Sequence, residues 1–234
     1  GQPDLPTPQV AIDAIRNIDR KVLEYSPSAG YRSYREKLVG YYAKFNINLT
    51  ADDIIITSGG SEAVLFSFLS CLNPGDEIIV PEPAYANYMA FAISAGAKIR
   101  TIATTIEEGF SLPKVEKFEE LINERTKAIL ICNPNNPTGY TDFNTESVNN
   151  FLRFLNSCKI TLFLDEAYAE SVKIEDTTMP KWRTISRYIM NNINAQSRIK
   201  AISSLSTTKN LAATGERLGA IALTPQAADF AKYA

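Results

Sequence analysis

The 234-residue sequence contains no histidine. Ser-His-Asp and Cys-His catalysis are therefore excluded, together with the common zinc sites that use imidazole. Acid–base work must fall to Lys, Tyr, Asp or Glu, or to a cofactor. Neither sign of charge is in excess: 24 Lys+Arg against 26 Asp+Glu leave a net charge of -2, and the pI is near 5.4. That balance argues against a sequence-independent nucleic-acid binder, which needs a basic face. Long hydrophobic runs are also missing. No stretch approaches the roughly 20 apolar residues of a membrane span, and no basic start leads into an apolar signal region. Cysteine is scarce, with Cys71, Cys132 and Cys158 far apart and each in an apolar segment. They read as buried free thiols of a reducing, cytoplasmic setting and not as a disulfide frame or zinc site.

What is present is the composition of an ordinary globular protein, 45% hydrophobic and 21% charged. The length suffices for one domain with a real core. Both ends suggest a fragment: the chain opens at Gly1 without Met, and it closes inside a helical pattern at 226–234 with no cap following.

Short apolar runs alternate with helical patterns, separated by turn residues. Strands are expected at 54–57, 77–80, 98–102, 128–132, 161–164, 199–203 and 218–223. Helices are expected at 10–18, 31–45, 62–72, 85–95 and 145–157, whereas 171–194 reads as an irregular surface excursion. This alternation predicts a three-layer α/β fold, a mostly parallel sheet with helices on both faces. Sites in such sheets form at the carboxyl ends of the strands, where the polar motifs fall.

Four of those motifs suit one kind of ligand. Ser58-Gly59-Gly60-Ser61 follows a strand and opens a helix, so bare backbone and free N–H groups could meet an anion. A plain strand–helix turn is the alternative. Asn133-Pro134-Asn135-Asn136-Pro137-Thr138-Gly139 has a path stiffened by proline that could hold the Asn136 amide towards a ligand. Equally, its asparagines could cap their own loop. Asp165-Glu166-Ala167-Tyr168 follows a buried strand, and a carboxylate there is costly unless a cation meets it. A protonated pyridine nitrogen is such a cation; an acidic helix cap is the alternative. Finally, Lys209 lies three residues after Ser206 and eight before Arg217, the latter inside Gly215-Glu216-Arg217-Leu218-Gly219. A lysine that forms a Schiff base with pyridoxal phosphate needs such an anion-binding cradle beside it. Tyr85 and Tyr25 could stack on or reach a planar cofactor, or simply join a core.

Taken together in order, these segments resemble the class I and II aminotransferases of pyridoxal-phosphate fold type I. The likeness also runs through Gly1-Gln2-Pro3-Asp4, residues 25–30, Pro74-Gly75-Asp76-Glu77 and Pro81-Glu82-Pro83-Ala84-Tyr85. It implies pyridoxal 5'-phosphate on Lys209, with Asp165 paired to the ring nitrogen and Tyr168 and Asn136 bonded to the ring oxygen. Tyr85 would stack on the ring. Gly60, Ser61, Ser206 and Arg217 would hold the phosphate, and Tyr25 would reach the phosphate of the other subunit of a homodimer. Gly1 and Asn136 would approach the substrate. The resemblance implies a large cofactor-binding domain over 1–234, lacking a short N-terminal arm and a small C-terminal domain that carries the arginine for the substrate α-carboxylate. It departs from the pattern at Tyr88, where some aspartate aminotransferases carry histidine.

The activity so implied moves an amino group from an L-amino acid to a 2-oxo acid. Two other readings share the fold: a lyase or decarboxylase using the same cofactor residues, and the effector-binding half of an aminotransferase-like transcription regulator.

Overall fold

The structure, a computed structural model, describes residues 4–141, 144–171, 184–193, 197–210, 212 and 214–232. Seven strands form one sheet: β1 (Ile54–Thr57), β2 (Glu77–Glu82), β3 (Lys98–Ala103), β4 (Thr126–Cys132), β5 (Thr161–Asp165), β6 (Lys200–Leu205) and β7 (Gly219–Leu223). Their order is β1-β7-β6-β5-β4-β2-β3. β7 runs antiparallel to both β6 and β1, and the remaining pairs are parallel. The expected mostly parallel sheet is therefore present, with one reversed strand.

Alternation along the central strands divides the core in two. Ile79, Ile129, Ile131, Leu162 and Leu164 face one side, and Ile78, Val80, Leu130, Cys132 and Phe163 face the other. Because both sets are apolar, both faces must be covered. Helices α1 (Gln9–Arg16), α2 (Arg32–Ala43), α3 (Gly60–Cys71), α4 (Asn87–Ser94), α5 (Val115–Glu119), α6 (Thr145–Ser157), α7 (Ile185–Asn192) and α8 (Thr207–Asn210) occur along the chain. The first face is covered by α2, α5, α6 and α7 through Leu38, Tyr42, Phe118, Phe151, Leu155 and Ile189. α3 and α4 cover the second through Val64, Phe68, Tyr88 and Ala92. This is the three-layer arrangement.

Local signals explain the boundaries. α6 begins where the Asn144 side chain accepts hydrogen bonds from the amides of Glu146 and Ser147, a side-chain N-cap. α7 begins at Thr184, whose hydroxyl accepts from the Arg187 amide.

Three expectations need correction. The stretch read as an irregular surface excursion contains α7, five of whose residues are buried, although 172–183 and 194–196 lie outside the described residues. The final helical pattern is 3-10 over Pro225–Lys232. All three cysteines are free, but only Cys132 is buried; Cys71 and Cys158 are half-buried. Among the described residues no helix is long and apolar enough to cross a membrane, and no cluster of three or more metal-ligating side chains occurs.

Candidate active site

A cavity of about 380 Å³ opens on the α3–α4 side of the sheet, where β1, β4, β5 and β6 end. Gly60, Ser61, Val64, Tyr85, Cys132, Asn136, Asp165, Ala167, Tyr168, Ser206, Lys209 and Arg217 line it. Nine of these are residues singled out from the sequence.

One end is a close meeting of three backbone segments. Gly59 has φ of +133°, a conformation open to glycine but not to ordinary side chains. It turns the chain into α3, leaving the first N–H groups of that helix at the cavity. Side-chain carbon at these glycines has no room. A Cβ on Gly59 would lie 2.7 Å from Arg217 Nη2, and one on Gly60 would lie 3.1 Å from Ser206 Cβ. On Gly219 it would lie 2.5 Å from the Gly59 carbonyl carbon. The register of β1 with β7 places Gly219 opposite Thr57, so this crowding follows from strand pairing. The result is a cradle of helix N–H groups, two serines and a guanidinium, a chemistry suited to a phosphate.

At the centre, Asp165 ends β5 beside Cys132 of β4. The residue is 7% exposed. Oδ1 accepts from the Ala167 amide at 2.9 Å and Oδ2 from the Tyr88 hydroxyl at 2.5 Å. Burial pushes the carboxyl above its ordinary range, against the pull of those two donors. A cation placed in the cavity would oppose that rise. Tyr88 and Cys132 are in turn pushed up by burial first and by the Asp165 charge second. Glu166 turns away, accepting from Ser203 at 3.1 Å.

Lys209 reaches the same space from α8, its Nζ 6.0 Å from the centre of the Tyr168 ring. The phenol of Tyr168 is raised, mainly by burial and then by Asp165. Tyr85 stands edge-on to Tyr88, with ring centres 5.4 Å apart, and accepts at its hydroxyl from Asn87.

In the proline-rich loop the asparagines divide their work. Asn133 bonds the Ile185 amide and the Tyr140 carbonyl. Asn135 accepts from the Thr138 amide and hydroxyl. Only Asn136 of the three lines this cavity. Tyr25, expected at the phosphate of the other subunit, is fully exposed on this chain, and Gly1, expected near the substrate, lies outside the described residues. Sequence reasoning missed Val64, Cys132 and Ala167. Cys132 was legible as the last residue of a strand neighbouring the one that ends in Asp165. It also recorded Tyr88 only as a departure, without its bond to Asp165.

The profile described as aminotransferase class I and II matches residues 1–233, so the chain belongs to that family. The aspartate aminotransferase of Pyrococcus horikoshii is 33% identical over 228 residues, covering 97% of this chain and 55% of that protein. The solved aspartate aminotransferase of Thermotoga maritima superposes with a TM-score of 0.83 at 27% identity, covering 99% of this chain and 59% of the other. An aromatic aminotransferase of Pyrococcus horikoshii gives a TM-score of 0.85 at 25% identity, with 99% and 59% covered. The chain thus spans about half the length of the curated relatives it matches.

Proposed function

We propose that this chain is the large cofactor-binding domain of a pyridoxal-phosphate-dependent aminotransferase, acting on an L-amino acid and a 2-oxo acid. The observation that carries the reading is the shared cavity: Lys209 and Asp165 line the same 380 Å³ space as the Gly60, Ser61, Ser206 and Arg217 cradle. The site fits the group on its own chemistry. The glycines leave backbone where an anion must come close, and a buried carboxyl raised by burial awaits a cation.

In this reading Gly60, Ser61, Ser206 and Arg217 hold the phosphate, and Asp165 faces the ring nitrogen. Tyr168 and Asn136 bond the ring oxygen, and Tyr85 covers one face of the ring. When bound, the cofactor supplies an aldehyde that condenses with amines and a ring that takes up the electrons released at the substrate Cα. Asp165 keeps the ring nitrogen protonated, because a buried carboxylate beside it favours the charged form. Lys209 would hold the aldehyde end of the cofactor and, as a free amine, would be the base that takes the proton from the substrate Cα. Tyr88, behind Asp165, holds the carboxylate in place through Oδ2.

The intact enzyme is proposed to be a homodimer in which Tyr25, fully exposed on this chain, reaches the phosphate of the second subunit. Gly1 is proposed to lie near the substrate. The test is amino transfer by the natural protein from a panel of L-amino acids to 2-oxoglutarate and similar acceptors. Keto-acid product formed only with an acceptor present supports the proposal; decarboxylation or elimination without transfer contradicts it.

A further inference from the structure

Across the sheet from the cavity lies a polar cluster that none of these roles uses. Arg187 of α7 has no exposed surface. Its guanidinium sits 3.8 Å from the centre of the Phe45 ring and 5.3 Å from that of Tyr41. Nη2 donates to Glu170 Oε1 at 2.6 Å and to the Tyr41 hydroxyl. Tyr41 donates to the same Glu170 oxygen at 2.6 Å, which closes a triangle. Fully buried Glu166 faces the guanidinium as well and helps to keep it charged against burial. The Tyr42 hydroxyl adjoins Glu166 and Ser203.

Arg187 is fully buried while Glu170 is 28% exposed, and an ion pair that buries a guanidinium is seldom more stabilising than well-packed apolar side chains of similar volume. Placement is the better account of this one, because Glu170 belongs to two anchors. Its carboxylate is gripped by Arg187, and its backbone N–H donates to Asn210 Oδ1 at 3.2 Å. Asn210 directly follows Lys209 on α8. The same short turn carries Tyr168, whose carbonyl accepts from the Ser171 amide at 2.9 Å. The turn is closed from the other side by the Ala169 amide on the Glu166 carbonyl at 3.0 Å.

We infer that Arg187 is a positioning residue that, through Glu170 and Asn210, sets the placement of Tyr168 relative to Lys209 across the cavity. The inference rests on the cofactor reading above. With the cofactor bound, a phenol donating to the ring oxygen would stabilise negative charge on the ring, so the ring's visible absorbance would respond to where the phenol is held. Loosening the turn would therefore raise the pH at which that absorbance changes.

The experiment uses the natural protein with added pyridoxal phosphate. It follows the pH midpoint of the visible absorbance band, with thermal midpoints measured in parallel. Wild type, Arg187→Met, Arg187→Lys, Asn210→Ala and the Met/Ala double variant are compared. Arg187→Met and Asn210→Ala each raise the band midpoint by about half a pH unit or more. Arg187→Lys, which keeps the charge, recovers part of the shift. The double variant shifts by less than the sum of the singles, since both cut one link. A merely structural arginine would lower the thermal midpoint and leave the band where it is, and that result overturns the inference. Should Arg187→Met not fold, Asn210→Ala decides alone, and an unmoved midpoint overturns the inference. A wild type with no band at all instead overturns the cofactor reading, and this inference with it.

Discussion

The hydroxyl of Tyr88, on α4, donates a 2.5 Å hydrogen bond to Asp165 Oδ2 at the end of β5, across 77 residues of sequence. The two side chains are buried together, so each shapes the other's charge: the phenol steadies the carboxylate, and the carboxylate keeps the phenol protonated. Tyr88→Phe removes the donor and keeps the ring. It should cost about 1–3 kcal/mol of stability, the range for a buried polar group left unpaired. The Asp165 carboxyl should rise further and pair less well with a ring cation, lowering kcat roughly tenfold for each unit of rise. Denaturant melts and steady-state kinetics of the variant check both.

Asp165→Asn should separate stability from chemistry. The carboxyl is raised by burial, so its ionisation opposes folding at neutral pH in the absence of a cation. The penalty is absent below about pH 4, the ordinary carboxylate value, and grows as pH rises through the elevated folded value. Without cofactor, Asp165→Asn should therefore melt above wild type at pH 7 and level with it near pH 4. Amino transfer should fall at least a hundredfold, the lower range for a missing acid–base partner. Thermal melts across pH, read beside activity, test the pair of effects.

Gly219→Ala tests the cradle as packing. The added Cβ would lie 2.5 Å from the Gly59 carbonyl carbon, which is backbone and has no rotamer to move. A loss of roughly 1–3 kcal/mol is expected, as for overpacked sites, together with weaker binding of pyridoxal phosphate. Equilibrium unfolding and a cofactor titration measure them.

Much of this was legible in the sequence, for identifiable reasons. Ile54–Thr57 and Thr145–Ser157 appear at the expected bounds because a turn pair marks the end of one and an asparagine cap starts the other. Asp165 stood out as a carboxylate closing an apolar run. Its alternative as a cap is also visible, since Oδ1 does accept from the Ala167 amide. The reversal of β7 could not be read. All five of its residues are buried, and a fully buried strand has the same pattern in either direction. α7 was hidden because a buried arginine interrupts its apolar face, and only the tertiary cluster around Arg187 makes that burial tolerable. From its own residues Tyr25 reads as a cofactor-facing or core aromatic, and its role at the other subunit's phosphate comes only through family resemblance. Within this chain it is surface, and its proposed partner lies on a second subunit.

Glu77, at the opposite end of the sheet from the cavity, predicts an acid limb. Its side chain is 3% exposed and bonds Asn123 at 2.8 Å, Arg125 at 3.2 Å and Arg100 at 3.4 Å. The Asn123 bond first, then the two arginines, hold the carboxyl below its ordinary value despite burial. A depressed carboxyl stabilises the fold above its unfolded value, about 4.3, and that stabilisation is lost as pH falls through the folded value. Glu77→Ala should lose roughly 1–3 kcal/mol at pH 7. The gap to wild type should narrow below pH 4, as denaturant curves at several pH values would show.

The central claim is that the Lys209 amine, within its cavity, condenses with the aldehyde of pyridoxal phosphate. The most direct measurement is the visible absorbance of the natural protein mixed with that compound, before and after borohydride, for wild type and Lys209→Ala. The account predicts a band in wild type that borohydride abolishes, leaving a label on the peptide containing Lys209, and no such band in the variant. A colourless wild type, or an equal band in Lys209→Ala, contradicts it.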